Sequence, residues 1–186
     1  ALLHLYTPLR AQRDYLLFAK RPGAEAPRPT ALTTVTVRPG EPVDLPAISA
    51  DQLLLFSIEP PLSLSGKVRG SLYQPPLLEV ELSTDDPASP RRFRLAPAMA
   101  RVPVLLSPLV ENNQDLLTLF GAGHLRHVRS LRLVPRQPAG FRDEITLTFY
   151  SLPAPPAPPD NLADELLTYL ENPLSNREPL AVSTED

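Results

Sequence analysis

Proline, more than any other residue, limits what this chain can fold into. Twenty-five of its 186 residues are proline, against a usual share of about 5 per cent, and they recur at short intervals along most of the chain. Proline fixes φ and lacks an N–H, so helix interiors and central strands exclude it. A chain punctuated this often has room for short strands joined by corners. Long helices are excluded over most of its length.

The stretches between prolines read as strands. Residues 31–37 alternate, with Leu32, Val35 and Val37 separated by threonines, and Arg38-Pro39-Gly40-Glu41-Pro42 is a turn. Val43, Leu45 and Ile48 form a weak edge segment interrupted by Pro46. QLLLFSIE (52–59) is a strongly apolar run of strand length, which suits a central strand. GKVRGSLY (66–73) follows as a further strand with Gly70 at a bulge. In 77–83, Leu78, Val80 and Leu82 point one way while Glu79 and Glu81 point the other. TDDPASP (84–90) is a hairpin loop. RRFRLAPAMARVPVLLSPLV (91–110) then reads as a strand, a Pro-marked corner and a second strand, a pair onto which the others pack. A strand at 124–135 and DEITLTFYSL (143–152), with Ile145, Leu147 and Phe149 on one face, complete the set.

Two helices interrupt this pattern. ENNQDLLTLF (111–120) is capped by Asn112 or Asn113 and favoured by Asp115 in its first turn. After PAPPAPP (153–159), a polyproline spacer rising about 3.1 Å per residue, an amphipathic helix at 160–172 places Leu162, Leu166, Leu167 and Leu170 on one face. The division is therefore a β-sandwich at 1–152, with 1–20 as an extended arm, a linker at 153–159, the helix at 160–172 and an acidic tail at 173–186.

A net charge of −3 favours neither nucleic acid nor an anionic membrane as partner. No apolar run of about 18 residues is present to span a membrane. Cysteine is absent, which removes disulfides, thiolate metal sites and a cysteine nucleophile. The chain opens on Ala1 with no basic segment before an apolar run, as a piece cut from a larger extracytoplasmic protein would, or equally a chain that has lost its initiator Met.

Few residues offer chemistry. His124 and His127 have metal-compatible spacing but no evident third ligand, so they read as surface histidines. Glu79 and Glu81 share one strand face, whereas glycoside hydrolysis needs two carboxylates facing across a cleft. Asp85 and Asp86 read as an acidic turn and not a calcium loop. Ser107, Ser130 and Ser151 lack a Gly-x-Ser-x-Gly setting, and no phosphate-cradling glycine motif occurs. Arginine alone is concentrated: Arg91, Arg92, Arg94 and Arg101 in one cluster, Arg126, Arg129, Arg132, Arg136 and Arg142 in another. If the strands carrying them are neighbours, a basic face results that can grip carboxylates or phosphates. The alternative is a solvated face paired with Glu79 and Glu81.

The blocks FRLAPAMARVPVLLSPLV, NNQDLLTLF and VRSLRLVP, within a span from 53 to 152, resemble a pattern in bacterial envelope proteins. In those, a jelly-roll, galactose-binding-like domain stands outside the cytoplasmic membrane beside a multi-pass glycan-assembly membrane domain. The resemblance carries no catalytic signature and implies no residue roles.

The sequence thus predicts a mainly β protein, a jelly-roll-like sandwich of about eight strands with one inserted helix and a C-terminal helix. The function expected is a non-catalytic binding or assembly module of the bacterial envelope, in the periplasm or outside the membrane. It needs no cofactor or metal. Arg92, Arg94 and Arg132 are the candidates for an anionic glycan, and Leu162, Leu166, Leu167 and Leu170 for a protein partner or neighbouring subunit. Two other classes compete: a virion or coat subunit assembling through its terminal arms, and a glycan-active enzyme.

Overall fold

A computed structural model describes residues 2–12, 15–59, 62–63, 66, 77–85, 90–96, 99–121, 124–136 and 138–157. The expected strand over 66–73 falls almost wholly outside them, and the helix at 160–172 and the tail fall outside altogether. Contacts divide the chain into two compact units: Ala1–Ala26 with Val110–His124 and Pro155–Asp186, and Pro27–Leu109 with Leu125–Ala154.

The larger unit is the sandwich. Its strands are β3 (Thr30–Val37), β4 (Pro42–Asp44), β5 (Gln52–Glu59), β6 (Leu78–Thr84), β7 (Arg91–Leu95), β8 (Val104–Ser107), β9 (Val128–Pro135) and β10 (Ile145–Pro153). The two strands that precede them, β1 (Tyr6–Gln12) and β2 (Tyr15–Lys20), belong to the smaller unit. Two four-stranded antiparallel sheets result, in the orders β3-β10-β5-β8 and β4-β9-β6-β7. Within the set of eight, the first strand therefore pairs with the last, the second with the seventh, the third with the sixth and the fourth with the fifth. An eight-stranded antiparallel ribbon rolled on itself gives this pairing, which is the jelly roll.

The roll explains the prolines. Every connection except the β6–β7 hairpin passes from one sheet to the other. Pro39, Pro46, Pro103, Pro108 and Pro138 lie in such crossings, where no ladder N–H is lost. Pro42 opens the edge strand β4, and Pro135 and Pro153 close β9 and β10.

The core lies between the sheets. Ile145, Leu147 and Phe149 of β10 are wholly buried and face Leu78, Val80, Leu82, Leu131 and Leu133 of the other sheet within one cluster. Full burial of each such side chain contributes about 1.5–3 kcal/mol. β5 is buried along its whole length but for its ends, which accounts for its unbroken apolar sequence. Leu54, Phe56 and Ile58 enter the core, while Leu53 and Leu55 are buried on the other face. On that other face hydroxyls also pair, Thr34 with Thr148 (3.1 Å) and Ser57 with Tyr150 (3.2 Å).

Two expectations are corrected here. Residues 91–110 do form a strand, a corner (a 3-10 turn at Met99–Arg101) and a strand, but β7 and β8 are not partners. β7 pairs β6 in one sheet and β8 pairs β5 in the other, so the corner is a crossing. Leu32 belongs to its strand yet stays 42% exposed, because it occupies the irregularity where β3 slips register on β10.

The smaller unit carries a helical turn α1 (Leu2–Leu5), a two-stranded ribbon β1 (Tyr6–Gln12) and β2 (Tyr15–Lys20), and the helix α2 (Asn113–Thr118). Tyr6–Gln12 and Tyr15–Lys20 therefore pair with each other, and neither strand joins the sandwich sheets. The ribbon slips register between Pro8 and Arg10, an irregularity that accommodates a residue unable to donate. Asn112 caps α2 as its sequence predicts, its Oδ1 accepting from the Asp115 N–H at 2.8 Å, while an Asp115 carboxylate oxygen accepts from the Glu111 N–H. Phe120, just beyond α2, meets Phe18 of β2 with ring centroids 5.9 Å apart. Arg21 donates to the Pro156 carbonyl at 3.0 Å.

Candidate functional site

The two arginine clusters do not sit on neighbouring strands, because β6 lies between β7 and β9. The face they build is an acidic strand flanked by two basic ones. Register sets Arg92, Glu81 and Arg132 side by side across β7, β6 and β9, and places Arg94, Glu79 and Val134 in the next outward-facing rung. Residues directly opposite in an antiparallel pair share a face. The inward positions of β6 are Leu78, Val80 and Leu82, so this charged face is the outer surface of the sheet.

Each carboxylate is gripped. Arg92 donates from Nε to Glu81 Oε2 at 2.8 Å, and its Nη2 lies 2.7 Å from the same oxygen. Arg132 approaches Glu81 Oε1 at 3.6 Å. Arg136, one residue past β9, donates from Nε to Glu79 Oε1. Among the described residues no hydrogen bond or ion pair engages Arg94.

Exposure is unequal. The side chains of Glu79 and Glu81 are 11% exposed, against 64% for Arg92, 45% for Arg132 and 51% for Arg136. The carboxylates form the floor and the guanidiniums the surface. On β7, β6 and the end of β9 four arginines stand over two glutamates, and Asp44 of β4, opposite Ser130 on the same outer face, leaves the face with an excess of one positive charge, in a chain whose net charge is −3. This also disposes of the carboxylate pair as hydrolytic machinery. Glu79 and Glu81 stand side by side on one strand, each held by arginine, and do not face one another across a cleft.

The remaining arginines scatter. Arg91 lies opposite Leu82 and so leaves β7 on the other side. Arg101 belongs to the 3-10 turn. Arg129 falls where β9 slips register on β6, and lines a cleft of about 480 Å³ with Ser107, His127, Asp85 and the apolar Leu45, Ile48 and Leu54.

That cleft brings a serine, a histidine and an aspartate together, an arrangement with no signature in the sequence because β8, β9 and the end of β6 supply one each. It is not wired as a nucleophilic triad. Asp85 Oδ1 accepts from the His127 backbone N–H (3.1 Å), whereas a triad carboxylate orients the imidazole. Ser107 Oγ, 3.4 Å from His127 Nδ1, already accepts from the Val128 N–H at 3.2 Å, and Ser107 is only 4% exposed. These contacts close the end of the sandwich. Among the described residues no group of three or more potential metal ligands gathers around His124 or His127.

No helix among the described residues is long and apolar enough to cross a membrane. Leu162, Leu166, Leu167 and Leu170 lie outside the described residues. Comparison with protein families, with curated proteins and with solved structures finds no match for this chain.

Proposed function

We propose that this chain is a non-catalytic binding module of the bacterial envelope that takes an anionic partner, an acidic glycan or an acidic protein surface, on the arginine-rich face of its β4-β9-β6-β7 sheet. One observation carries the reading: the glutamates of that face are covered while its arginines stand in solvent. A guanidinium held by a carboxylate beneath it is pre-oriented and still has N–H donors to spare for a ligand. Placement outside the cytoplasmic membrane follows from the sequence resemblance alone.

Retention on an immobilised acidic polysaccharide, polygalacturonate for instance, at low salt tests it. The parent should be retained and should elute as ionic strength screens the face. Replacing Arg92, Arg94 and Arg132 together by serine should abolish retention and leave the melting temperature nearly unchanged, since exposed ion pairs contribute about 0–1 kcal/mol. A parent that flows through at low salt defeats the proposal.

The jelly-roll connectivity supports a second reading, a coat-type structural subunit, since single jelly rolls recur in viral capsids. Light scattering separates the two: a closed symmetric assembly favours the subunit. In either reading the leucines at 162, 166, 167 and 170 are proposed to dock on a partner or a neighbouring copy, and deleting 160–186 should weaken assembly while leaving the sandwich folded.

A further inference from the structure

We propose that the cleft between Arg38 and Arg142 is a binding site for a sugar acid, a compact hydroxylated ring bearing one carboxylate. This deepens the reading of the arginine-rich face and rests on it for the class of ligand.

The cleft encloses about 530 Å³, within the range of small-molecule sites and ample for one or two sugar rings. Its position follows from the roll. Val37 pairs with Ile145, so the turn leaving β3 and the loop entering β10 come to the same end of the sandwich, and they bring Arg38 and Arg142 to one cleft. Val134 lies in its floor, and Val134 is the residue opposite Glu79 on the outer face of the sheet. The cleft is therefore the end of the arginine-rich face and continuous with it.

Its walls are rigid. Pro135 and Pro138 present pyrrolidine rings, which lose little entropy when a ligand packs on them. Gly40 completes the wall at φ +89, a left-handed conformation that L side chains rarely adopt. Its N–H is fixed on the Leu133 carbonyl at 2.7 Å, and a Cβ there would meet nothing within 4 Å. The glycine is needed for the turn, and it also leaves backbone open to a ligand.

The polar groups set the chemistry. No hydrogen bond or ion pair engages either guanidinium among the described residues. Among the described residues Asp143 is the one carboxylate lining the cleft. Glu41 is nearby, with Oε2 accepting the Arg38 backbone N–H at 3.2 Å, and Glu79 is committed to Arg136. Two guanidiniums against Asp143 leave one positive charge, which a monoanion balances. Arginine receives a carboxylate through two parallel N–H donors. Asp143 adds an acceptor that a ligand hydroxyl can satisfy, and the proline and valine surfaces suit the C–H face of a ring. An alkyl carboxylate would engage the arginines alone, and a neutral sugar would engage Asp143 and the apolar walls alone.

Titration calorimetry at low salt with monomeric glucuronate and with glucose tests the site on the whole chain. Glucuronate should bind with a Kd of about 1 mM or tighter, and glucose about tenfold or more weaker, having lost the charge-assisted pair. The double substitution Arg38→Gln and Arg142→Gln should weaken glucuronate by about tenfold or more, while Arg101→Gln, which lines neither the cleft nor the arginine-rich face, should leave it within about twofold. Absence of glucuronate binding, equal binding of glucose, or full affinity in the Arg38/Arg142 variant overturns the proposal. Polygalacturonate retention without glucuronate binding defeats the cleft alone and leaves the face intact. Failure of both removes the two together.

Discussion

Asp85 and His127 are joined twice: the His127 N–H donates to Asp85 Oδ1 at 3.1 Å, and the Asp85 N–H donates to the His127 carbonyl at 3.0 Å. The double link ties the end of β6 to the start of β9 where their register slips between Ser83 and Thr84. Replacing Asp85 by alanine should cost about 1 kcal/mol, the net worth of one hydrogen bond. Asparagine, which keeps an acceptor, should cost less. Urea denaturation of the two variants checks the order; equal loss in both would show that charge, not the bond, holds the strands.

Phe149 is wholly buried at the centre of β10, the strand shared by β3 and β5. Its truncation to alanine should cost about 3–5 kcal/mol through lost transfer energy and the cavity left behind. Leu147→Asp should unfold the sandwich, because a buried unpaired charge costs more than a domain of this size can offset. Circular dichroism melts decide it. A melting point within a degree or two of the parent for Leu147→Asp would mean that the strand faces the other way.

Such facing is what the sequence shows best. Leu78, Val80 and Leu82 alternate with Glu79 and Glu81, and Ile145, Leu147 and Phe149 alternate with Thr146 and Thr148, because only one face of those strands meets the core. The corners are legible for the same local reason, proline being unable to serve a ladder. Partner choice is not local. The Pro-marked corner within residues 91–110 reads as the link of one strand pair, yet it carries the chain between sheets, and nothing in residues 91–107 encodes that β6 and β5 are the partners. The arginine-rich face was legible in composition but not in order: only the pairing shows β6 between β7 and β9, and so Glu79 and Glu81 beneath the guanidiniums. That Arg38 and Arg142 line one cleft left no sign in the sequence, since the Val37–Ile145 register alone brings them to the same end of the sandwich.

Glu81 supplies a test of charge on that face. Glu81→Gln removes the carboxylate shared by Arg92 and Arg132. Stability should change by less than about 1 kcal/mol, because both arginines are well exposed. Retention on polygalacturonate should strengthen, with elution at higher salt, as one more positive charge is uncovered. Earlier elution would show that Glu81 is needed to hold the guanidiniums in a binding posture.

Asn112 governs α2. Alanine there removes the acceptor for the Asp115 N–H and should destabilise the smaller unit by about 1 kcal/mol, whereas aspartate should be nearly neutral. Helix-sensitive amide exchange at Leu116 and Leu117 reads this directly. Unchanged protection in the alanine variant would mean that packing alone fixes the helix.

Ser63 and Gly66 are linked to residues 139 and 140, which follow Pro138 of the proposed sugar-acid cleft. Its N–H donates to Ser63 Oγ (3.0 Å), Ser63 Oγ donates to the Ala139 carbonyl (2.7 Å), and the Ser63 N–H donates to the Gly140 carbonyl (3.1 Å). A Cβ on Gly66 would collide with that Gly140 carbonyl, which is backbone and cannot swing aside. Gly66→Ala should therefore push residues 138–140 outward at a cost of about 1–3 kcal/mol, the range for overpacking. Pro138 and Arg142, which line the cleft, flank the displaced residues. Glucuronate affinity should fall along with stability, whereas Ser63→Ala, which removes hydrogen bonds without a clash, should cost less on both counts. If Gly66→Ala melts and binds like the parent, residues 66 and 140 do not approach as closely as the structure shows, and the wall of the cleft lies elsewhere.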